Sequence, residues 1–315
     1  MIDLSSVIGL LSENDNFLIL THKRPDGDTL GSALALRELL CLMGKRAECL
    51  CPDRVEGRLA LFTDGYDFSA ATVADPYVIS VDVASRQLLG ELFDIYPPSL
   101  MIDHHESAAP FCENVYSDPA AAAAGEIIFE IARAAEKAGL GKMNAAAAKY
   151  IYGAISSDTG CFRFANTTSR THRIAAELME YGFDREGLDR LLHISKSPSR
   201  LALEGYIAQN LRITGRIGAC TLSRREIALL GVCDEDISDI VDIPRSVMGV
   251  DLAFSVTEMK DGAYKVSFRS AGCDVAKLAE IFAGGGHSRA AGCTLNAIDI
   301  EDAYKKIYTE CVRCL

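Results

Sequence analysis

What most restricts this chain is a recurrence in its first half: short apolar runs that end in carboxylates or imidazoles. Residues 17–21 run into His22-Lys-Arg-Pro-Asp26-Gly-Asp28, Val78-Ile-Ser-Val81 runs into Asp82, and Leu100-Met-Ile102 runs into Asp103-His104-His105. Runs of this length are far too short to cross a bilayer, and their apolar content suits strands buried on both faces. Segments with helical spacing lie between and after them. Residues 29–43 place Leu30, Ala33, Leu34, Leu36 and Leu40 in register ahead of Gly44. Residues 119–137 open on Pro119 and close before Gly139, and 142–157 and 171–181 follow, the last stopped by Gly182. A further strand is expected over 47–50. Strands alternating with helices predict an α/β fold with a parallel sheet, and in such sheets ligands bind at the carboxyl ends of the strands, where these polar side chains fall.

Beyond Gly182 the texture changes. Residues 183–211 are helix-prone and interrupted by Ser197-Pro198-Ser199, which suits a connecting stretch better than another strand-helix unit. Residues 216–222, 250–258 and 264–270 are rich in strand formers, with Asp261-Gly262 as a hairpin turn between the last two. A helix is expected over 275–282, then Gly284-Gly285-Gly286, then a closing helix over 300–314. The expected organisation is a catalytic domain at 1–184, a helical linker at 185–212 and a smaller α+β domain at 213–315.

Composition narrows the function class. Of 315 residues, 44 are acidic and 32 basic, a net charge of −12, which argues against holding long nucleic acid by a general basic surface. A local anion site stays compatible with that total. The N-terminus has no basic leader and no apolar run approaches bilayer length, so the expected location is cytoplasmic, with no membrane partner. Eleven cysteines are an odd, scattered set whose one CxxC is Cys311/Cys314, so free thiols are expected and the pair is taken as incidental to a terminal helix.

The strand-end residues carry the chemistry. An aspartate before a helix is often only its cap, and that reading applies to Asp26 and Asp28 taken alone. Three strand ends bearing ligand-type side chains at one edge, together with Asp158 in Ser156-Ser-Asp158-Thr159-Gly160, favour a metal site. Aspartate and imidazole without cysteine suit Mn²⁺, with Mg²⁺, Fe²⁺ or Co²⁺ as substitutes. Four aspartates exceed the needs of one compact cation site. Two ions about 3.5–4 Å apart sharing one carboxylate would use them all, supplying a nucleophile and neutralising a phosphoryl group. His172 and His193 lie in ordinary helical contexts and are read as structural. The glycine triplet is not a Walker motif, since no Gly-Lys-Ser/Thr follows it.

In order and spacing, His22-x-x-x-Asp26-x-Asp28, Asp82, Asp103-His104-His105 and Asp158 resemble the four motifs of the DHH phosphoesterase superfamily. Phe268-Arg269-Ser270 with Gly284-Gly285-Gly286-His287-Ser-Arg-Ala-Ala-Gly292 resembles its associated C-terminal domain of the RecJ and nanoRNase kind. The resemblance spans nearly the whole chain, and the size is similar to the stand-alone NrnA-type branch. It implies one Mn²⁺ held by His22, Asp26 and Asp82 and a second by Asp28, Asp82, His104 and Asp158, with Asp82 shared. It also implies that His105 faces the scissile phosphate and that Asp103 orients an imidazole. Arg269, Ser270, Gly284, Gly285, Gly286 and His287 would bind a terminal phosphate of the substrate; Arg289, Lys23 and Arg24 are weaker candidates.

The activity implied is hydrolysis of very short oligoribonucleotides to nucleoside 5′-monophosphates and of 3′-phosphoadenosine 5′-phosphate to AMP. The alternatives are a cyclic di-AMP or pApA phosphodiesterase and, from another class, a non-catalytic nucleotide-sensing module, whose mark would be a missing ligand. A homodimer is a family-level expectation only.

Overall fold

In a computed structural model of the chain every residue but Ser107 is described, with every side chain but that of Glu235. Two units result, Met1–Ser195 and Lys196–Leu315.

The first unit begins with helix α1 (Leu4–Glu13) and continues β1 (Phe17–Leu20), α2 (Gly27–Leu42), β2 (Ala47–Leu50), the short α3 (Gly57–Phe62), β3 (Tyr77–Val81), the short α4 (Leu92–Ile95), β4 (Leu100–Asp103) and β5 (Asn114–Ser117). Four helices follow: α5 (Ala124–Lys137), α6 (Ala145–Asp158), α7 (Ser169–Met179) and α8 (Arg185–Asp189). The five strands are all parallel, in the order β2-β1-β3-β4-β5. Strand order reverses between β1 and β3, which opens a crevice beyond their carboxyl ends. Successive side chains alternate between two cores. Phe17, Ile19, Ile79, Val81, Leu100 and Ile102 pack with Leu30, Leu34, Ile127 and Ile151, whereas Leu18, Leu20, Leu50 and Val78 pack with Val83 and Leu89. Burial on both faces is what the unbroken apolar runs required.

One helix contact sets the geometry of the crevice. A Cβ on Gly27 of α2 would lie 2.4 Å from Ser157 Oγ of α6, and one on Gly31 would lie 2.7 Å from the Tyr150 carbonyl oxygen. The two glycines are one turn apart, so α2 and α6 approach backbone to backbone along that face. The start of α2, with Asp26 and Asp28, is thereby laid against the end of α6, with Asp158.

The second unit comprises α9 (Pro198–Gln209), β6 (Arg212–Thr214), β7 (Ile217–Leu222), α10 (Arg224–Leu230), α11 (Asp234–Ile237), α12 (Asp242–Arg245), β8 (Leu252–Glu258), β9 (Tyr264–Ser270), α13 (Val275–Glu280), β10 (Gly285–His287), β11 (Ala290–Leu295) and α14 (Ile300–Cys314). Its six-stranded sheet has the order β10-β11-β9-β8-β7-β6 and is antiparallel except between β7 and β8. Asp261-Gly262 forms the β8–β9 turn, with Gly262 at φ +84°. The helical stretch 185–212 is divided: α8 ends within the first unit, and α9 buries Leu203 and Ile207 against Cys220 and Leu222 of the second. All eleven cysteines are without disulfide partners, and Cys311, on α14, is buried. Among the described residues no helix is long and apolar enough to cross a membrane.

Gly31→Ala should lower stability by about 1–3 kcal/mol, because backbone rather than a mobile side chain occupies the space a methyl group would need. Gly9→Ala in α1, with nothing within 4 Å of the new methyl, should raise it by about 0.5–1 kcal/mol. Urea unfolding of both variants checks this; equal midpoints would contradict the close approach.

Candidate metal centre

Each strand-end residue is placed by local backbone chemistry. After β1 the chain turns through Arg24 at φ +54°, its N–H bound to Asp53 Oδ2 at 2.6 Å. It then reaches Asp26, whose Oδ1 accepts from the N–H groups of Asp28 and Thr29 at 3.0 and 3.1 Å. Asp26 is thus the cap of α2 and still faces His22 Nε2 at 3.9 Å, so the cap and ligand readings coexist. Asp28 is buried in the first turn of α2. It accepts from Ser32 Oγ at 2.9 Å and from the N–H groups of Ala124 and Gly125 at 2.7 and 3.0 Å. Ala123, at the start of α5, has no side chain to cap with, and Asp28 supplies that cap from another helix.

Asp82 leaves β3 with φ +60°, an uncommon conformation for a residue other than glycine. Its side chain is almost fully buried, and Oδ1 has no hydrogen-bond donor among the described residues. Around it lie three imidazoles: His104 Nε2 at 3.5 Å and His105 Nδ1 at 3.6 Å from Oδ1, and His22 Nε2 at 3.7 Å from Oδ2. His104 Nε2 is also 3.7 Å from Asp28 Oδ2 and 3.8 Å from Asp158 Oδ2. Both metal-type rings are oriented from behind, His22 Nδ1 by the Lys23 carbonyl oxygen at 2.9 Å and His104 Nδ1 by that of Ala121 at 3.3 Å. Each Nδ1 therefore donates, and each Nε2 faces the carboxylates. Asp103 Oδ1 accepts from His105 Nδ1 at 2.8 Å and from the His104 N–H at 2.9 Å.

Three overlapping groups with ligand atoms mutually within 4.8 Å emerge in the crevice, His22/Asp26/Asp82, Asp28/His104/Asp158 and Asp82/His104/His105, with Asp82 in two of them and 3.5 Å from His104 of the third. The crowding of charge displaces the protonation equilibria of the cluster. Burial pushes Asp158 up to about 6, with Asp82 and Asp26 adding to the rise against the pull of His104. Burial and then Asp82 push Asp28 well above the usual carboxylate range. Burial opposes the charge of His104 and His22, yet the carboxylates around them, Asp82 foremost, raise them to about 10 and about 9. Burial likewise opposes ionisation of Asp82, but those two imidazoles hold it down to about 2. A buried carboxylate oxygen without a donor, among acids that repel one another and Nε2 atoms that converge on them, fits divalent cations.

The second-unit residues lie within their own sheet. Arg269 on β9 meets two carboxylates, Asp239 Oδ1 at 3.2 Å from Nη2 and Asp242 Oδ1 at 3.7 Å from Nε. Ser270 is buried, and its hydroxyl is occupied by the turn that follows, accepting from the N–H groups of Gly272 and Cys273 at 3.1 and 2.8 Å. Gly284 and Gly286 permit contact with β11, since a Cβ on either would fall within 2.5 Å of that strand. Gly285 and His287 are exposed on β10. Sequence reasoning missed Asn166, whose Nδ2 bridges the Ala122 carbonyl oxygen at 2.9 Å and that of Asp158 at 3.2 Å. A lone Asn in a polar loop offered no signal.

Known families match both units. The DHH family, N-terminal domain, matches residues 16–155 and the DHHA1 domain matches residues 227–312. The probable bifunctional oligoribonuclease and PAP phosphatase NrnA of Streptococcus mutans is 29% identical over 96% of this chain and 97% of its own. The bifunctional oligoribonuclease and PAP phosphatase NrnA of Thermus thermophilus is 30% identical over 92% of this chain and 87% of its own. The crystal structure of an exopolyphosphatase-related protein from Bacteroides fragilis shares the fold at TM-score 0.88 and 24% identity, over 98% of this chain and 95% of its own.

The shifts fix how stability depends on pH. His22 and His104 are raised to about 9 and about 10, so their contribution is complete below the unfolded value near 6.5 and is lost as pH rises through 9–10. Asp158, raised to about 6, acts in the same sense around that pH. Chelator-treated protein should therefore lose thermal stability between pH 6 and 10, and a divalent cation held by these side chains would restore more of it at the alkaline end, where they are deprotonated. Calorimetric Tm values across that range check this; a metal-free Tm that rises with pH would contradict the charge balance.

Proposed function

The chain belongs to the DHH family of phosphoesterases, and on that premise we propose that it hydrolyses very short oligoribonucleotides to nucleoside 5′-monophosphates and 3′-phosphoadenosine 5′-phosphate to AMP, with two Mn²⁺ ions as cofactor. The observation that carries the reading is the buried Asp82 carboxylate, with three imidazoles around it and an oxygen that no donor among the described residues reaches at hydrogen-bond distance. Supporting the substrate class are relatives named for those two activities over nearly their whole length.

His22, Asp26 and Asp82 would hold one ion and Asp28, Asp82, His104 and Asp158 the other. When bound, the ions supply Lewis acidity and offset the negative charge of the phosphoryl group. The donor set, oxygen and imidazole without thiolate, favours Mn²⁺, with Mg²⁺ or Co²⁺ as substitutes. Both proposed reactions break a bond between phosphorus and a ribose 3′ oxygen, so one leaving group unites them. Asp103 takes the Nδ1 proton of His105 in a hydrogen bond and raises the imidazole above its ordinary value, which leaves Nε2 as the atom that gives a proton to the departing 3′ oxygen. Arg269, with Gly284, Gly285, Gly286 and His287, takes a non-reacting phosphate. The guanidinium exchanges Asp239 and Asp242 for the substrate anion. Ser270 acts through the turn that it closes and not by touching substrate.

Asp82→Asn should abolish turnover and metal loading together. His105→Asn should keep the metal and lose roughly 10²–10⁴-fold in kcat, and Arg269→Ala should raise KM with kcat little changed. A side-by-side rate comparison with Mn²⁺ of two- to five-nucleotide RNAs, 3′-phosphoadenosine 5′-phosphate, pApA and cyclic di-AMP tests the substrate class. Fast turnover of the first two is expected. Cleavage of cyclic di-AMP alone would make the chain a cyclic-dinucleotide phosphodiesterase, and no cleavage of any would make it a nucleotide-sensing module.

A further inference from the structure

Another cluster of ligating side chains lies in the first unit, built from none of the residues assigned above. Cys161, Asp189 and His193 offer a thiol, a carboxylate and an imidazole whose donor atoms all lie within 4.8 Å of one another. Two irregular pieces of backbone bring them together. Just after Asp158 the chain makes a left-handed run, Gly160 at φ +55°, Cys161 at +59° and Phe162 at +61°, closed by the Cys161 N–H to the Ser156 carbonyl oxygen at 2.7 Å. Two successive non-glycine residues in that region cost about 1–2 kcal/mol each, and a regular helix end would need neither. On the facing side, the helix that begins at Arg185 widens into one turn over Arg190–Ile194, closed by the Ser195 N–H to the Arg190 carbonyl oxygen at 2.7 Å. Wide turns of this kind, five residues between donor and acceptor, are uncommon and concentrate at functional sites.

The side chains are arranged as ligands. The His193 ring is held through Nε2 by Ser156 Oγ at 2.8 Å, and burial keeps it below its ordinary pKa, so it is neutral at physiological pH. Asp189 Oδ2 is engaged by Arg185 and by Tyr152 OH at 3.4 Å, whereas Oδ1 is buried with no donor among the described residues. We propose that Cys161, Asp189 and His193 form a separate site for a borderline divalent cation of the Zn²⁺ type, with three protein donors and a fourth position open to a small ligand. The thiolate sets its preference apart from that of the oxygen- and imidazole-lined crevice. Cys161 follows Asp158 by three residues, so a cation here pins the turn on which that carboxylate ends.

Titration of the full-length chain with Co²⁺ tests this, because only a thiolate ligand gives the near-ultraviolet sulfur-to-cobalt charge-transfer band. In Asp82→Asn, where the crevice is expected to lose its metal, the band should saturate at about one equivalent; in the unmodified chain it should also form, be displaced by Zn²⁺ and vanish in Cys161→Ser with the circular dichroism unchanged. His193→Gln should weaken Co²⁺ binding at that band by at least about tenfold, which keeps the test decisive should Cys161→Ser fail to fold. Absence of the band in the unmodified protein, its persistence in Cys161→Ser, or unchanged affinity in His193→Gln would overturn the proposal.

Discussion

Asp28 and Asp82 are carboxylates out of water, with Asp26 and Asp158 close beside them, and two such charges about 4 Å apart repel by about 4 kcal/mol at an effective dielectric of about 20. Much of the first unit is arranged around that repulsion. His22 and His104 rise to about 9 and about 10 in response, and Asp158 is pushed up to about 6, while Asp82 is held ionised between them. Protonated imidazoles offset only part of the negative charge, and one oxygen of Asp82 still has no donor within hydrogen-bond distance among the described residues. Divalent cations would satisfy both needs, and the net charge of −12 then says nothing against a phosphate substrate.

Holding such a cluster takes a stiff frame. The reversal of strand order puts the ends of β1 and β3 side by side, so His22 and Asp82 come from neighbouring strands and His104 from the next one. Gly27 and Gly31 let α2 lie against α6, which closes the remaining side with Asp158. Asp28 works in two directions, toward His104 and as the cap of α5, so one side chain fixes both the helix start and its own place beside His104. Thr29 Oγ1 donates to the Val81 carbonyl oxygen at 3.2 Å and ties the start of α2 to the end of β3.

Much of this was legible in the sequence. Strands β1 to β4 follow from the apolar runs, and the residues expected as ligands come together at one edge, because a parallel sheet leaves its strand ends nowhere else to go. Strand β5 gave no such signal: Asn114–Ser117 is four residues with one fully buried side chain. Helix α5 was expected from Pro119 and begins at Ala124, because the cap comes from Asp28, far away in sequence. Residues 119–123 instead form the turn whose Ala121 carbonyl orients His104. Ser270, expected beside Arg269 as a substrate group, is buried with its hydroxyl bonded to the following turn, a placement that depends on which face of β9 is covered. His193, read as structural from its helical context, owes its neighbours to a widened turn and a left-handed run that no local pattern announces.

If Asp82 serves both of the cations proposed for the crevice, their positions must lie on either side of its carboxylate. Anomalous diffraction from crystals grown with Mn²⁺ measures those positions directly. Two peaks are expected in the crevice, one beside His22 and Asp26 and one beside Asp28, His104 and Asp158, with an Asp82 oxygen ligating each. A single peak, or two peaks neither of which touches Asp82, would contradict that sharing.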